Sequence, residues 1–420
     1  MKPIKIILGL MFFFLLGLLT INETQPAEAT AMQVALATTK NSNGTVQQTP
    51  PTTPPAATQT ASEAKKPAKR TYVAIGVNDQ IIPFYDAKPY IENSTAYVPI
   101  RRIGEALGGE VTYDSKTSSA VFTYNKTTLK FHINQNEVSI ETGTGTETLP
   151  ATIFKEEGRT YVPLRLFGEK LGFQVDYLSQ ERTVRVSNNP KALNNEQFLA
   201  KNKSSLALER MAPKYAYLTF DDGPSRYSGQ FLTALSKYDI KATFFQIGLN
   251  VKEYAKESKA EAQAGHYIGI HSYSHDKTKL YHDPASFMNE ITVTQNLIKQ
   301  NAGFNTMLVR APYGSKPYLT GDYRNALAAG HYKLWDWNVD SDDWALGDNT
   351  AQIMANIKNG VARVQRIHPS GPVVILMHEK AATAKIVPQL IDYLHNQGYS
   401  LEKYDPSKNV QMNFWNDTRF

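Results

Sequence analysis

From residue 214 to about 400, short apolar runs alternate with longer stretches of helical period. The segments 215–220, 242–248, 266–272, 307–310, 334–339 and 373–377 read as strands. Between and after them, 229–238, 252–264, 284–301, 318–329, 351–359 and 382–396 carry apolar residues at the three-and-four spacing of amphipathic helices. Strand followed by helix, repeated, argues for a parallel α/β architecture. Six or seven such units in about 190 residues suit a compact, incomplete barrel of the distorted (β/α) TIM type better than an open sheet.

The preceding stretch, 71–190, has a different period. Tyr97-Val98-Pro99-Ile100-Arg101 opens a nineteen-residue segment that returns 64 positions later at Tyr161-Val162-Pro163-Leu164-Arg165, with eleven of the nineteen positions identical. Each copy reads as a short strand, a helix that begins near the proline and stops at Gly108 or Gly172, then another strand. This smaller α+β repeat domain resembles the domain found at the N-terminus of some copper amine oxidases and in many exported bacterial proteins. His132 is the only histidine before residue 200, so no copper site is expected, and the domain reads as a spacer or wall-binding module.

At the start of the chain, Lys2 and Lys5 precede an apolar run from Ile6 to Ile21, and Ala27-Glu28-Ala29 follows as a cleavage candidate. That order is expected of an export signal over 1–29, either cleaved after Ala29 or kept as an N-terminal anchor. Residues 30–70 are rich in Thr, Pro, Ala and Gln and read as an extended linker. A polar connector is expected over 191–213, the barrel domain over 214–405 and a C-terminal tail over 406–420. The absence of cysteine excludes disulfides, thiolate metal sites and thiol nucleophiles. A net charge of +6 suits an anionic wall or membrane surface, with which the N-terminus and repeat domain are expected to associate. No Lys/Arg block is dense enough to argue for nucleic acid, and the sequence does not set the oligomeric state.

The chemistry sits immediately after the barrel strands. Asp221-Asp222 follow the first, His271-Ser272-Tyr273-Ser274-His275 the third, Arg310-Ala311-Pro312-Tyr313-Gly314 the fourth, Asp340-Ser341-Asp342-Asp343-Trp344 the fifth, and His378-Glu379 the last. In a parallel barrel these ends share one face, where they can converge. If the chain enters a helix at His271, the i, i+4 spacing puts both imidazoles on one side, which suits a metal. Two histidines and a carboxylate with water completing the shell form a catalytic zinc arrangement. His266 reads as a hydrogen-bonded structural residue. Trp335 and Trp337 serve equally well as sugar-facing rings or as core. No Gly-x-Ser-x-Gly elbow and no phosphate loop is present.

Thr219-Phe220-Asp221-Asp222-Gly223-Pro224, the two histidines, Arg310-x-Pro312-Tyr313-Gly314, Asp340-Ser341-x-Asp343-Trp344 and Leu376-x-His378 resemble, in order, the five motifs of the polysaccharide deacetylases, the NodB-homology enzymes of carbohydrate esterase family 4. The resemblance implies a hydrolase that removes acetyl groups from an N-acetylated wall polysaccharide, most naturally peptidoglycan GlcNAc or MurNAc. The same machinery serves an O-acetyl esterase on a xylan-like polymer, and a non-catalytic wall-binding protein is the rival from another class. It implies Asp222, His271 and His275 as ligands of a divalent metal, zinc first, with cobalt or another divalent ion as alternatives. Asp221 becomes the general base, held by Arg310, whose charge is expected to depress its pKa. His378 becomes the general acid, oriented and charged by Asp340. The Tyr313 N–H faces the oxyanion, while Leu376 and Trp344 wall the acetyl pocket. Glu379 stands where an aspartate is common.

Overall fold

The computed structural model describes residues 70–420 apart from Glu157 and Asn409. The export signal and all but the last residue of the linker lie outside the described residues.

In the barrel domain the strands are β1 (Lys214–Gly223), β2 (Thr243–Gln246), β3 (Tyr267–Ile270), β4 (Leu308–Val309), β5 (Lys333–Leu334), β6 (Val339–Asp340), β7 (Val373–His378) and β8 (Tyr399–Glu402). They pair in the order β5-β4-β3-β2-β1-β7-β6, all in parallel, with β8 alongside the first half of β1. The path is open between β5 and β6, so the barrel is incomplete.

Alternation along the strands separates two cores. On β1, Ala216, Leu218 and Phe220 face the helices and join a cluster with Phe231, Ile268, Ile357 and Leu390. Tyr217 points the other way, into an inner cluster with Phe245, Trp335, Val374 and Tyr404. The inside is thus filled by aromatic side chains up to the level where the polar residues begin.

Three expected elements differ in outline. The run 334–339 is two short strands, because Trp335 N–H bonds to Val309 O while Asp336 N–H turns to Met412 O at 2.7 Å. The stretch 252–264 belongs to two helices, Gly248–Glu253 and Ala255–Gln263, broken at Tyr254. The segment 406–420 is no loose tail. Val410 O accepts from Trp335 Nε1 at 2.9 Å, Phe414 N–H donates to Asp336 Oδ2 at 2.8 Å, and Phe420 is buried in the outer core.

The repeat is visible in the smaller domain. Strand Thr95–Pro99, helix Ile100–Ala106 and strand Glu110–Asp114 match strand Arg159–Pro163, helix Leu164–Lys170 and strand Gln174–Leu178. Gly108 and Gly172 end the helices with φ of +84° and +74°, a conformation glycine adopts without a Cβ penalty. The first strands of the two copies pair antiparallel, with Val98 opposite its own equivalent, Val162. Gly104 and Gly168 let each helix press on the strand that follows: a Cβ at either would lie 2.5 Å from Val111 Cγ2 or Val175 Cγ2. Gly104→Ala is therefore expected to destabilise this domain by about 1–3 kcal/mol, read as a lower unfolding midpoint.

The connector consists of helices Asn195–Lys201, started by an Asn194–Gln197 capping box, and Lys203–Glu209. Buried Glu209 accepts from Phe84 N–H at 3.4 Å and lies 2.8 Å from His395 Nε2, which ties the repeat domain to the barrel's last long helix.

Candidate active site

Five of the functional side chains follow an apolar residue that faces the outer core, Asp221 after Phe220 among them. Ile270, Val309, Val339 and Met377 point outward, so His271, Arg310, Asp340 and His378 turn into the barrel mouth. On β1 the inward series is Tyr217, Thr219, Asp221. By strict alternation Asp222 would face the helices. Instead the β1–β2 register shifts between Phe220 and Gly223, and Asp222 takes φ of +66°. Asn250 Nδ2 holds the Asp222 carbonyl at 2.8 Å, and both carboxylates reach the mouth.

Asp222 Oδ1 lies 3.6 Å from His271 Nε2 and 3.5 Å from His275 Nε2. This oxygen is buried and has no hydrogen-bond partner among the described residues. Burial and the neighbouring imidazole outweigh the pull of Asp222 and push the His271 pKa down to about 3, so its ring is neutral. Arg310 O sits 2.8 Å from His271 Nδ1, which places the hydrogen there and leaves the Nε2 lone pair facing Asp222. An orphaned buried carboxylate oxygen beside two imidazole nitrogens fits a divalent cation.

The condition of a helix at His271 is not met, since no helix carries the two histidines. Ser272 and His275 have φ of +75° and +55°, which a helix cannot accommodate, and helix Lys277–Leu280 starts only afterwards. The loop is shaped by Glu290, whose carboxylate accepts from Tyr273 N–H at 3.1 Å and from Ser274 N–H and Oγ at 3.0 and 2.7 Å. Tyr313 Oη, 3.0 Å from His275 O and 3.3 Å from His275 Nδ1, braces it from the opposite side.

Arg310 is wholly buried beneath the mouth. Its Nη1 donates to Asp221 Oδ1 at 2.9 Å and to Thr219 Oγ1 at 2.6 Å, and its other nitrogens bind the carbonyls of Trp335 and Asp336. The expected pairing with Asp221 is present, but the expected net pKa shift is not. Burial raises the Asp221 pKa by more than the guanidinium lowers it. A raised carboxylate pKa makes a stronger base, so the departure favours proton abstraction.

The carboxylate that serves His378 is Asp343, not Asp340. Asp343 Oδ1 is 2.6 Å from His378 Nδ1, and its Oδ2 accepts His378 N–H at 2.8 Å and Thr383 Oγ1 at 2.5 Å. Asp340 Oδ1 instead accepts Asp342 N–H at 2.9 Å, and burial raises its pKa. The turn explains the exchange: Asp342 has φ of +53°, which swings the chain back so that Asp343 lies beneath β7. Burial lowers the His378 pKa, but the Asp343 hydrogen bond and the charges of Asp343, Asp222 and Asp221 outweigh it and raise it to about 9.

The mouth is a cavity of about 410 Å³ lined by Asp221, Asp222, His271, His275, Ala311, Tyr313, Trp337, Asp340, Trp344, Leu376 and His378. Trp344 and Tyr313 are 61% and 51% exposed at its rim, whereas Leu376 is buried in its wall. Of the two tryptophans left open, Trp335 is inner core and Trp337 faces the cavity. His266 is buried and accepts from Ala242 N–H at 3.1 Å. Glu379 is also buried; its Oε2 accepts from Ser225 Oγ at 3.1 Å and Ser228 Oγ at 2.6 Å, holding the loop that follows Asp222.

Comparison with known proteins gives the chain a family. The polysaccharide deacetylase family model matches residues 209–333, and the copper amine oxidase N-terminal domain model matches 76–186. A peptidoglycan-N-acetylglucosamine deacetylase of Bacillus cereus is 37% identical over 235 residues, covering 53% of this chain and 83% of that protein. A peptidoglycan-N-acetylmuramic acid deacetylase of Bacillus subtilis is 27% identical, covering 57% of this chain and 52% of that protein. The crystal structure of a Bacillus cereus polysaccharide deacetylase shares 39% identity and a TM-score of 0.46, covering 49% of this chain and all of that one. The chain belongs to the polysaccharide deacetylase family. It is a deacetylase-class hydrolase whose α/β barrel follows a second, sheet-rich domain that matches the copper amine oxidase N-terminal model.

Proposed function

We propose that the protein removes N-acetyl groups from GlcNAc or MurNAc residues of peptidoglycan, by hydrolysis at the mouth of the barrel. The observation that carries this is the orphaned Asp222 Oδ1 between two imidazoles, set beside an acid and a base of separate surroundings. Asp222, His271 and His275 would hold a divalent metal, zinc first, which when bound supplies Lewis acidity for water and for the acetamide carbonyl.

The protein groups have the following work. Arg310 fixes Asp221 so that Oδ2, free of that contact, takes the proton of the attacking water. As the tetrahedral carbon forms, the Tyr313 N–H, which donates to no group among the described residues, is placed to receive the developing oxyanion. His378 carries its Nδ1 proton toward Asp343, leaving Nε2–H as the donor to the sugar nitrogen while the C–N bond breaks. Acetate and a free amine result. Leu376 and Trp344 shape the space for the acetyl methyl, and the exposed rings of Trp344 and Tyr313 offer flat faces to sugar. The relatives' names support the polymer: one acts on N-acetylglucosamine and one on N-acetylmuramic acid of peptidoglycan. Such a substrate places the working site in a cell wall, to which the 1–29 segment would deliver it. No helix among the described residues is long and apolar enough to cross a membrane.

Mass spectrometry of peptidoglycan fragments and chitooligosaccharides after incubation locates each lost acetyl group. Replacement of one acetyl group by hydrogen at each modified GlcNAc or MurNAc is the expected result. A chelator should abolish it and added zinc restore it. Acetate release only from O-acetylated xylan would overturn the amide reading, and no release from any polymer would overturn catalysis.

A further inference from the structure

A second cleft, of about 250 Å³, opens where the repeat domain meets the barrel. On the barrel side it is lined by Asp239 and Lys241, which precede β2, so it lies at the N-terminal ends of the strands and away from the catalytic mouth. Its charge is unbalanced. Arg101, Arg102, Lys155, Arg159 and Lys241 face Asp86 and Asp239, which leaves three positive charges in excess among the described lining residues.

The carboxylates are already shared. Asp239 lies 3.6 Å from Arg101 Nε, 3.3 Å from Arg159 Nη1 and 3.5 Å from Lys241 Nζ, and Asp86 is held by Arg159. Arg102 and Lys155 have no carboxylate partner among the described residues: Arg102 Nε donates to Pro83 O at 3.0 Å and Lys155 Nζ to Tyr113 Oη at 2.6 Å, and each cation also lies over an aromatic ring. The Arg102 guanidinium is 5.0 Å from the Tyr85 ring centre, and the Lys155 ammonium is 4.1 Å from that of Tyr113. Tyr238, packed edge-on against Tyr85 at 5.1 Å, adds a third ring. Rings alternating with under-compensated cations suit a ligand with apolar sugar faces and regularly spaced anions.

We propose that this cleft binds a segment of an anionic, polyhydroxylated polymer, through carboxylates or phosphodiesters on its sugar or polyol units. The choice of polymer rests on the wall-glycan reading; the charge and the rings do not. Such a site would hold the enzyme by one end of the barrel while the mouth at the other end works on the acetylated strand.

The test titrates the full chain with an oligogalacturonate, an oligo(glycerol phosphate) and an oligoglutamate of matched charge, at low and physiological ionic strength, by calorimetry. One of the first two should bind, more weakly as salt rises, and which one binds identifies the anion. Arg101→Glu with Lys155→Glu, both on the surface, should weaken that binding by about tenfold or more. Tyr113→Ala should weaken it without altering its salt dependence. Both variants should release acetate from neutral chitooligosaccharide at the wild-type rate. Absence of binding to both polymers, equal binding by the charge-reversed variant, or equally tight binding of oligoglutamate would overturn the proposal. Acetate release is read separately, so either site can fail without the other.

Discussion

Asp221→Asn is expected to keep its metal at the wild-type ratio and to lose about 10²–10⁴-fold in kcat, whereas Asp222→Asn should lose both metal and turnover. The two carboxylates are adjacent in sequence and both approach His271, but their other partners differ. Asp222 Oδ1 faces two imidazole nitrogens and nothing else among the described residues. Asp221 Oδ1 is tied to Arg310, and its Oδ2 stands 3.8 Å from His271 Nε2, farther than Asp222 does. An amide at 221 still accepts from the guanidinium through its oxygen, so the site should remain assembled while the base is gone. Metal content by elemental analysis, alongside acetate release, separates the two. Equal loss of metal in both variants would end this division of labour.

Asp343→Asn should lower kcat by about 10²-fold or more and move the alkaline limb of the pH profile toward acid. The direction follows from the role. His378 must be protonated to donate, so activity that depends on it is present below its pKa and lost as pH rises through it. With Asp343 in place that pKa is raised to about 9. Replacing the carboxylate by an amide removes the largest of the effects that raise it, so the proton is lost at lower pH. It also puts an NH₂ group where Oδ1 or Oδ2 accepts from His378, which disturbs the ring's orientation. Asp340→Asn should leave the alkaline limb closer to wild type, because its carboxylate bonds to Asp342 N–H. Profiles of kcat against pH for the three proteins decide it; a larger shift from Asp340→Asn would restore Asp340 as the partner of His378.

Much of the site was legible because strand ends in a parallel barrel share a face, and the first polar residue at each of these strand ends directly follows an outward apolar one. That local rule carries His271, Arg310, Asp340 and His378 to the mouth without knowledge of the rest. It failed where backbone outside the strands decides. Three aspartates lie within four residues of each other, and which of them meets His378 depends on a left-handed Asp342. The histidine spacing imitates a helix, yet the loop is set by Glu290, a helix residue with no motif around it. The net pKa of Asp221 depends on how far its own burial outweighs the charge of Arg310, and no residue identity encodes that balance. Likewise, nothing in Gln411-Met412-Asn413-Phe414-Trp415 announces that its backbone completes the strand end at Asp336.

The pairing of Val98 with Val162 also limits how the repeat domain could grow. Its two copies meet as the halves of an isologous dimer do, with Tyr97 opposite Pro163 and Pro99 opposite Tyr161. A head-to-tail array presents a fresh surface after each added unit, whereas a twofold pair consumes the same edge of both partners. A third copy inserted into the chain would find no equivalent strand left to pair with. The duplication is therefore a closed count of two, a symmetric dimer recorded within one chain rather than the first links of a solenoid.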